Sequence, residues 1–388
     1  MSAYSDFRMP GNVRFGVQSL QSLPEEVTRF SPSRIALVSD KGLEGAGVVG
    51  RIVELLERLH IPLVVFTDIQ GEPTFKLLAG AVDSLRQESC DLVVGIGGGS
   101  AMDMAKTIAA LLDKSDIAPY ISGEKAIENR SVPCILLPTT SGTGAEMTMN
   151  AIFGDDEQEL KRGLVSPALL PDVAIIDPML TVSCPARVTA ASGVDAFTHA
   201  IESYVAVRAT PATKMYAEQA MKLFPAHIAR AVHHGSSVDA RIGMSLVSNW
   251  AGISLANAGV GAVHALAYPL GGKFHIEHGI ANALLMPFVF EVTGKTCTEQ
   301  MVNIAGFLQL GDYGSRPHEA LQAVTDYMFR LLGELDLPTS LSGLGVDEAA
   351  LPVLAEQASK IDRLLLNTPY KLNKDKILRI YEKAYRGV

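Results

Sequence analysis

Cysteine and charge are both scarce in this chain, and each scarcity removes a class of protein. The four cysteines, Cys90, Cys134, Cys184 and Cys297, lie 44, 50 and 113 residues apart, with no CxxC pair. That spacing argues against a disulfide scaffold or a thiolate zinc site and points to a reducing cytoplasm. Charged residues make up 19%, and 33 basic against 42 acidic side chains give a net charge of −9. With 48% hydrophobic residues, neither disorder nor nucleic-acid binding through a basic surface is expected. Met1 to Pro10 carry no apolar signal-peptide core, and there is no internal repeat or low-complexity tract. One stretch, Ile242 to Gly272, has no Asp, Glu, Lys or Arg in 31 residues, but Asn249, Asn257, His264, Pro269 and six glycines interrupt it. It is a poor hydrocarbon span, so buried helices of a large domain are expected and no membrane insertion.

What is present is a chain of 388 residues, long enough for two domains. Short β-branched runs alternate with helical patterns: Ile35 to Ser39, Pro62 to Phe66, Asp91 to Ile96, Pro133 to Leu137 and Val173 to Asp177. That alternation predicts an α/β domain with a parallel sheet covered on both faces. After Pro185 the pattern is almost entirely helical. The expected division is 1–182, a dinucleotide-binding α/β domain, and 183–388, an all-helical metal-binding and catalytic domain.

Two loops carry the nucleotide signal. Asp91-Leu-Val-Val-Gly-Ile-Gly-Gly-Gly-Ser100 runs from a strand into a helix, and its consecutive glycines let backbone N–H groups approach a diphosphate. It is neither a GxGxxG fingerprint nor a P-loop, and taken alone it also reads as a tight turn needing positive φ. Pro138-Thr-Thr-Ser-Gly-Thr-Gly-Ala-Glu146 follows the next strand and is equally rich in small hydroxyl residues. Candidate contacts are Gly97, Gly98, Gly99, Ser100 and Asp103 from the first segment, and Thr139, Thr140, Ser141 and Thr143 from the second. Asp40, directly after the first strand, could bind an adenosine ribose 2′-hydroxyl and repel a 2′-phosphate, although a lone Asp at a strand end is more often a turn or helix-cap residue.

The helical half holds a metal-ligand pattern. Asp195 and His199 lie four apart on one helix face, His264 lies inside the uncharged stretch, and His278 follows fourteen residues later. One carboxylate and three imidazoles suit a borderline divalent ion such as Fe²⁺ or Zn²⁺ rather than Ca²⁺ or Mg²⁺. Each residue alone has an ordinary reading, as a solvated i, i+4 pair or a hydrogen-bonded core histidine. His275 is left open as a further candidate; His60, His227, His233, His234 and His318 are expected at the surface.

Together the glycine loop GGGSAMDMAK, the PTTSGTGAE loop, GVDAFTHAIE and HALAYPLGG…HGIANA resemble the iron-containing (group III) alcohol dehydrogenase family over essentially the whole chain. The resemblance implies Asp195, His199, His264 and His278 as four metal ligands. Glycerol dehydrogenases and dehydroquinate synthases look similar in outline but use three. It also implies Lys161 near the nicotinamide ribose, Asn150 and Leu255 along the substrate pocket, and NAD rather than NADP from Asp40. Tyr268 stands where many members carry a second histidine; it is expected to shape the pocket and hold the nicotinamide. The implied reaction is reversible hydride transfer between a primary alcohol and NAD, with a metal-bound alkoxide as donor, in a cytoplasmic homodimer acting on small alcohols or aldehydes. Hydride transfer at about 3–3.5 Å calls for a cleft between the two domains. A hydroxyacid-oxoacid transhydrogenase, or a glycerol-dehydrogenase- or dehydroquinate-synthase-like enzyme, is the alternative on the same fold.

Overall fold

The computed structural model describes residues 6–155 and 160–387. Two compact units make up the chain: Arg8–Thr140 with Gly144–Cys184, and Pro185–Val388 with Ser141–Thr143 and the N-terminal residues.

The first unit is built on eight strands: β1 (Asn12–Phe15), β2 (Ile35–Asp40), β3 (Leu63–Ile69), β4 (Leu92–Gly97), β5 (Cys134–Pro138), β6 (Asn150–Asp155), β7 (Leu160–Val165) and β8 (Val173–Ile176). Six form one sheet in the order β1-β8-β5-β4-β2-β3, every pairing parallel. Side chains alternate across each strand and divide the core in two. Ala36, Val38, Val93 and Leu136 join one cluster with the helices Phe75–Gln87 and Gly99–Leu111. Ile35, Leu37, Leu92, Val94, Ile135 and Leu137 join the other, against the helix Val48–Glu57. Both faces are therefore covered, which is why these strands read as unbroken apolar runs. The 99–111 helix is buried along its length from Ala101 onward, and small residues let it sit close to the sheet.

Three strands differ from the sequence expectation. β1 is a four-residue edge strand, NVRF, too short and too polar to stand out. β6 and β7 form a separate antiparallel pair, Asn150↔Val165 through Asp155↔Leu160, whose alternating sequences lack a continuous apolar run.

The second unit is helical. Its longest elements among the described residues are Ala186–Val205, Pro211–His233, Val238–Ala258, Ala262–Phe274, His278–Thr293, Pro317–Glu334 and Lys374–Arg386. Phe197 and Phe224 stack with centroids 4.5 Å apart where the first two meet. The uncharged stretch forms the 238–258 and 262–274 helices, bent by 100° at Gly259 to Gly261 and mostly buried. Among the described residues, no single helix is long and apolar enough to cross a membrane. None of the four cysteines forms a disulfide, and Cys90, Cys134 and Cys297 are buried.

Candidate active site

At the carboxyl ends of adjacent strands, β2, β4 and β5 bring three candidate segments together. Gly97 pairs with Pro138, and the Thr139 N–H donates to the Gly97 carbonyl at 2.9 Å. Gly97 has φ +153°, and a β-carbon there would lie 2.5 Å from Ala101 Cβ and 3.3 Å from Asp40 Oδ2. Glycine is thus required at Gly97 by both conformation and space. Gly98 has φ −77° and extended ψ, so positive φ belongs to Gly97 alone within the GGG run. Gly98 caps the 99–111 helix and looks across to Thr140, whose nearest atoms would be 3.5 Å from a β-carbon. The helix opens with Gly99 and Ser100, so bare N–H groups and the positive end of its dipole face this edge. Such an edge suits a diphosphate.

Asp40 is a helix cap with one oxygen turned toward the glycine loop. Its Oδ1 accepts from the Leu43 N–H at 2.9 Å as a helix cap, while Oδ2 faces the glycine loop. Asp103 lies deeper. Its carboxylate accepts from the Ile152 N–H at 2.9 Å and pairs with the fully buried Lys106 at 2.9 Å. Burial pushes the Asp103 carboxyl up despite Lys106. Lys161, on β7, is buried and paired with Glu72; Asn150 opens β6. Within the second loop the chain passes from one unit to the other. Thr139 and Thr140 stay with the sheet. Ser141 Oγ lies 3.3 Å from Ser245 Oγ, Thr143 belongs to the same helical unit, and Gly142 packs on Ser192, where a β-carbon would sit 2.5 Å from that of the serine.

In the helical unit, three helices converge on four donors. Asp195 and His199 lie one turn apart on the 186–205 helix, His264 in the first turn of the 262–274 helix, and His278 opens the 278–293 helix. Their ligand atoms all lie within 4.8 Å of one another. Asp195 Oδ1 is the hub, at 3.7 Å from His199 Nε2, 3.9 Å from His264 Nε2 and 4.0 Å from His278 Nε2. Bonds of about 2.1 Å to a tetrahedral ion put donors about 3.4 Å apart. The distances to Asp195 Oδ1 need to shorten by about 0.3–0.6 Å and the widest separation, up to 4.8 Å, by about 1.4 Å, shifts of under an ångström per donor atom, so one carboxylate and three imidazoles fit a borderline divalent cation. Burial pushes the Asp195 carboxyl up, but the three imidazoles and Asn282 outweigh it and hold it below the usual range. Burial holds His199 below its ordinary value against the pull of Asp195.

Two polar side chains that sequence reasoning did not single out complete the cluster. Asn282, one turn after His278, donates Nδ2–H to Asp195 Oδ1 at 2.7 Å and lies 3.1 Å from Nε2 of both His264 and His278. Glu202 Oε2 lies 2.6 Å from His264 Nδ1. Neither residue type signals such a place, since a Glu near a helix end and an Asn within HGIANA look ordinary. Tyr268 follows His264 by one turn, its ring centroid 6.1 Å from that of His278. Leu255 is buried on the 238–258 helix. His275, left open from sequence, is an exposed left-handed helix cap and stands outside the cluster. His227, expected at the surface, is half-buried with its ring against Gly243.

Two family models match, "Iron-containing alcohol dehydrogenase" over residues 10–178 and "Fe-containing alcohol dehydrogenase family, C-terminal" over residues 189–385. The chain belongs to the iron-containing alcohol dehydrogenase family. It is an oxidoreductase of that family, acting on alcohols. The long-chain-alcohol dehydrogenase 1 of Geobacillus thermodenitrificans is 40% identical over 377 residues, 96% of this chain and 94% of that protein. An alcohol dehydrogenase from Oenococcus oeni superposes with a TM-score of 0.93 at 30% identity, covering 98% of this chain and all of that one. The sulfoacetaldehyde reductase of Bifidobacterium kashiwanohense, solved in complex with NAD⁺, gives 0.89 at 26% identity, covering 99% of each chain.

Proposed function

We propose that this dehydrogenase interconverts a primary alcohol and its aldehyde with NAD, at a single Fe²⁺ held by Asp195, His199, His264 and His278, with Zn²⁺ as the alternative ion. The observation that carries the reading is the convergence of one carboxylate and three imidazoles within 4.8 Å in one unit, Asp195, His199 and His264 being buried. When bound, the ion lowers the pKa of an alcohol oxygen and NAD takes the hydride from its carbon, so that alcohol and NAD⁺ yield aldehyde, NADH and a proton.

The chain's own residues do the rest. Asp195 supplies the one negative charge among the donors, and the imidazoles supply neutral nitrogen. The Gly97–Ser100 turn and Thr139 and Thr140 receive the diphosphate through backbone N–H and hydroxyl groups. Asp40 accepts from the adenosine ribose and repels a 2′-phosphate, which selects NAD over NADP. Lys161 binds the nicotinamide ribose. Asp103 holds the start of β6, where Asn150 begins, through the Ile152 N–H. Tyr268, beside His278, holds the nicotinamide and shapes the substrate pocket with Leu255. A homodimer in the reducing cytoplasm is part of this reading, supported by four cysteines that form no disulfide and by exposed Phe15 and Val17 at the sheet edge formed by β1.

The test is NADH oxidation by the protein reconstituted with Fe²⁺ or Zn²⁺, over straight-chain aldehydes of increasing length and sulfoacetaldehyde. Those substrates are suggested by the names of the Geobacillus and Bifidobacterium relatives. Turnover with at least one series is expected, with NADPH the poorer donor. A fully metallated protein inert toward every aldehyde would contradict the reading.

A further inference from the structure

We propose that Glu202 is a positioning residue of the metal centre, holding His264 in the one tautomer that presents Nε2 to an ion. The inference rests on the reading of Asp195, His199, His264 and His278 as donors, and deepens it.

Glu202 lies on the 186–205 helix, three residues after His199, and is 4% exposed. Both of its oxygens are committed to the start of the 262–274 helix. Oε1 accepts from the Val263 N–H at 2.7 Å, one of the first-turn donors that a helix leaves without a partner. Oε2 faces His264 Nδ1 at 2.6 Å. One carboxylate thus fixes both the backbone that carries His264 and the ring itself. Gly261 leaves room for it: a β-carbon there would lie 3.3 Å from Oε1 and 2.8 Å from Thr368 Oγ1.

The partners on the two sides of the ring select the tautomer. A neutral imidazole carries its proton on one nitrogen only. Nδ1 faces a carboxylate, which accepts, so Nδ1 is the donor. Nε2 faces Asn282 Nδ2 at 3.1 Å. That amide is fixed nitrogen-inward, because its Nδ2 also lies 2.7 Å from Asp195 Oδ1, an acceptor. Nε2 therefore carries the lone pair, on the side where Nε2 of His199 and of His278 also approach Asp195 Oδ1. The ring is further held flat against His199, with centroids 4.8 Å apart and planes at 26°.

Glu202→Gln breaks this arrangement with almost no change in volume. A glutamine has one acceptor oxygen, so it serves Val263 or His264 and turns its NH₂ toward the other. An NH₂ opposite Nδ1 favours the proton on Nε2, the nitrogen the ion needs.

The experiment measures Zn²⁺ affinity of the full chain by competition with a chromophoric chelator, without nucleotide or substrate, beside NADH binding by fluorescence. Glu202→Gln is expected to weaken Zn²⁺ binding about 10- to 100-fold, as loss of a ligand's supporting hydrogen bond does, with NADH affinity unchanged. In a His264→Ala background the same substitution should add nothing, because Glu202 acts through that ring. Wild-type affinity in Glu202→Gln, or an equal loss in both backgrounds, overturns the proposal. A wild-type protein that takes up no Zn²⁺ instead overturns the assignment of the four donors. If Glu202→Gln does not fold, nitrogen-15 histidine labelling of the Zn²⁺-loaded wild type decides, with the His264 signal identified by its loss in His264→Ala. A proton on Nδ1 supports the proposal, and a proton on Nε2 overturns it.

Discussion

The two units build their proposed sites by opposite means. The α/β unit works by leaving atoms out: Gly97, Gly98 and Gly99 clear the ends of β4 and of the 99–111 helix so that backbone groups can meet a ligand. The helical unit works by bringing atoms in, with four donors, Glu202 and Asn282 drawn from three helices into an apolar interior. One site is therefore damaged by an added side chain and the other by a removed one. Each should fail without disturbing ligand binding in the other.

The largest effect expected is from Asp195→Ala, which removes the hub of the donor set and the acceptor of Asn282. Metal content should fall to background, and activity about 10³-fold or more, the several kcal/mol that a Lewis acid supplies. NADH affinity should stay at its wild-type value in a fluorescence titration. A parallel loss of NADH binding would break the contrast.

Gly97→Val is the mirror experiment. Its β-carbon has Ala101 Cβ 2.5 Å away and its φ of +153° is foreign to valine. The NAD dissociation constant should rise about 100-fold, equivalent to about 2.7 kcal/mol of a lost cradle, while Zn²⁺ affinity by chelator competition is retained. Asp40→Gly should act less strongly. It removes the repulsion of a 2′-phosphate and narrows the NAD over NADP preference in kcat/KM by about tenfold, near 1.4 kcal/mol. An unchanged ratio would leave Asp40 only its cap to Leu43.

The smallest effect concerns stability alone. Glu146, at the end of the second loop, is 2% exposed, its Oε2 has no hydrogen-bond partner, and burial pushes its pKa up to about 7. A carboxyl raised in the folded state costs stability as pH rises, because the unfolded chain releases the proton first, from the ordinary value upward. The cost is absent below the ordinary carboxyl range and complete above about 7. Glu146→Gln should therefore raise Tm at pH 8 and leave it nearly unchanged near pH 4.5. A Tm gain of equal size at both values would assign the effect to packing.

The same contrast explains how much the sequence revealed. Strands β2, β4, β5 and β8 are buried on both faces, so their apolar runs mark the parallel sheet plainly, and glycine and threonine at their ends mark the edge proposed for the nucleotide. β1 and the β6–β7 pair escaped because an edge strand and a small hairpin bury too little to print a run. Among the four residues of the candidate metal cluster, Asp195 and His199 were legible from a spacing of four, and His264 from being polar in a charge-free stretch. Glu202 and Asn282 were not, because their value depends on how three helices cross. Local pattern encodes which way a side chain faces on its own helix, not what lies 2.6 Å beyond it. The positive φ at Gly97 rather than Gly98 was hidden for a similar reason: three identical residues carry no mark of which one turns.

The most direct test of the whole account is a metal-removal titration on the wild-type protein. Chelation should abolish aldehyde-dependent NADH oxidation while NADH binding persists. One equivalent of Fe²⁺ or Zn²⁺ per chain should restore it, with the return linear up to that point. Full activity in protein stripped of metal, or restoration that needs several equivalents, would contradict a single ion held by Asp195, His199, His264 and His278.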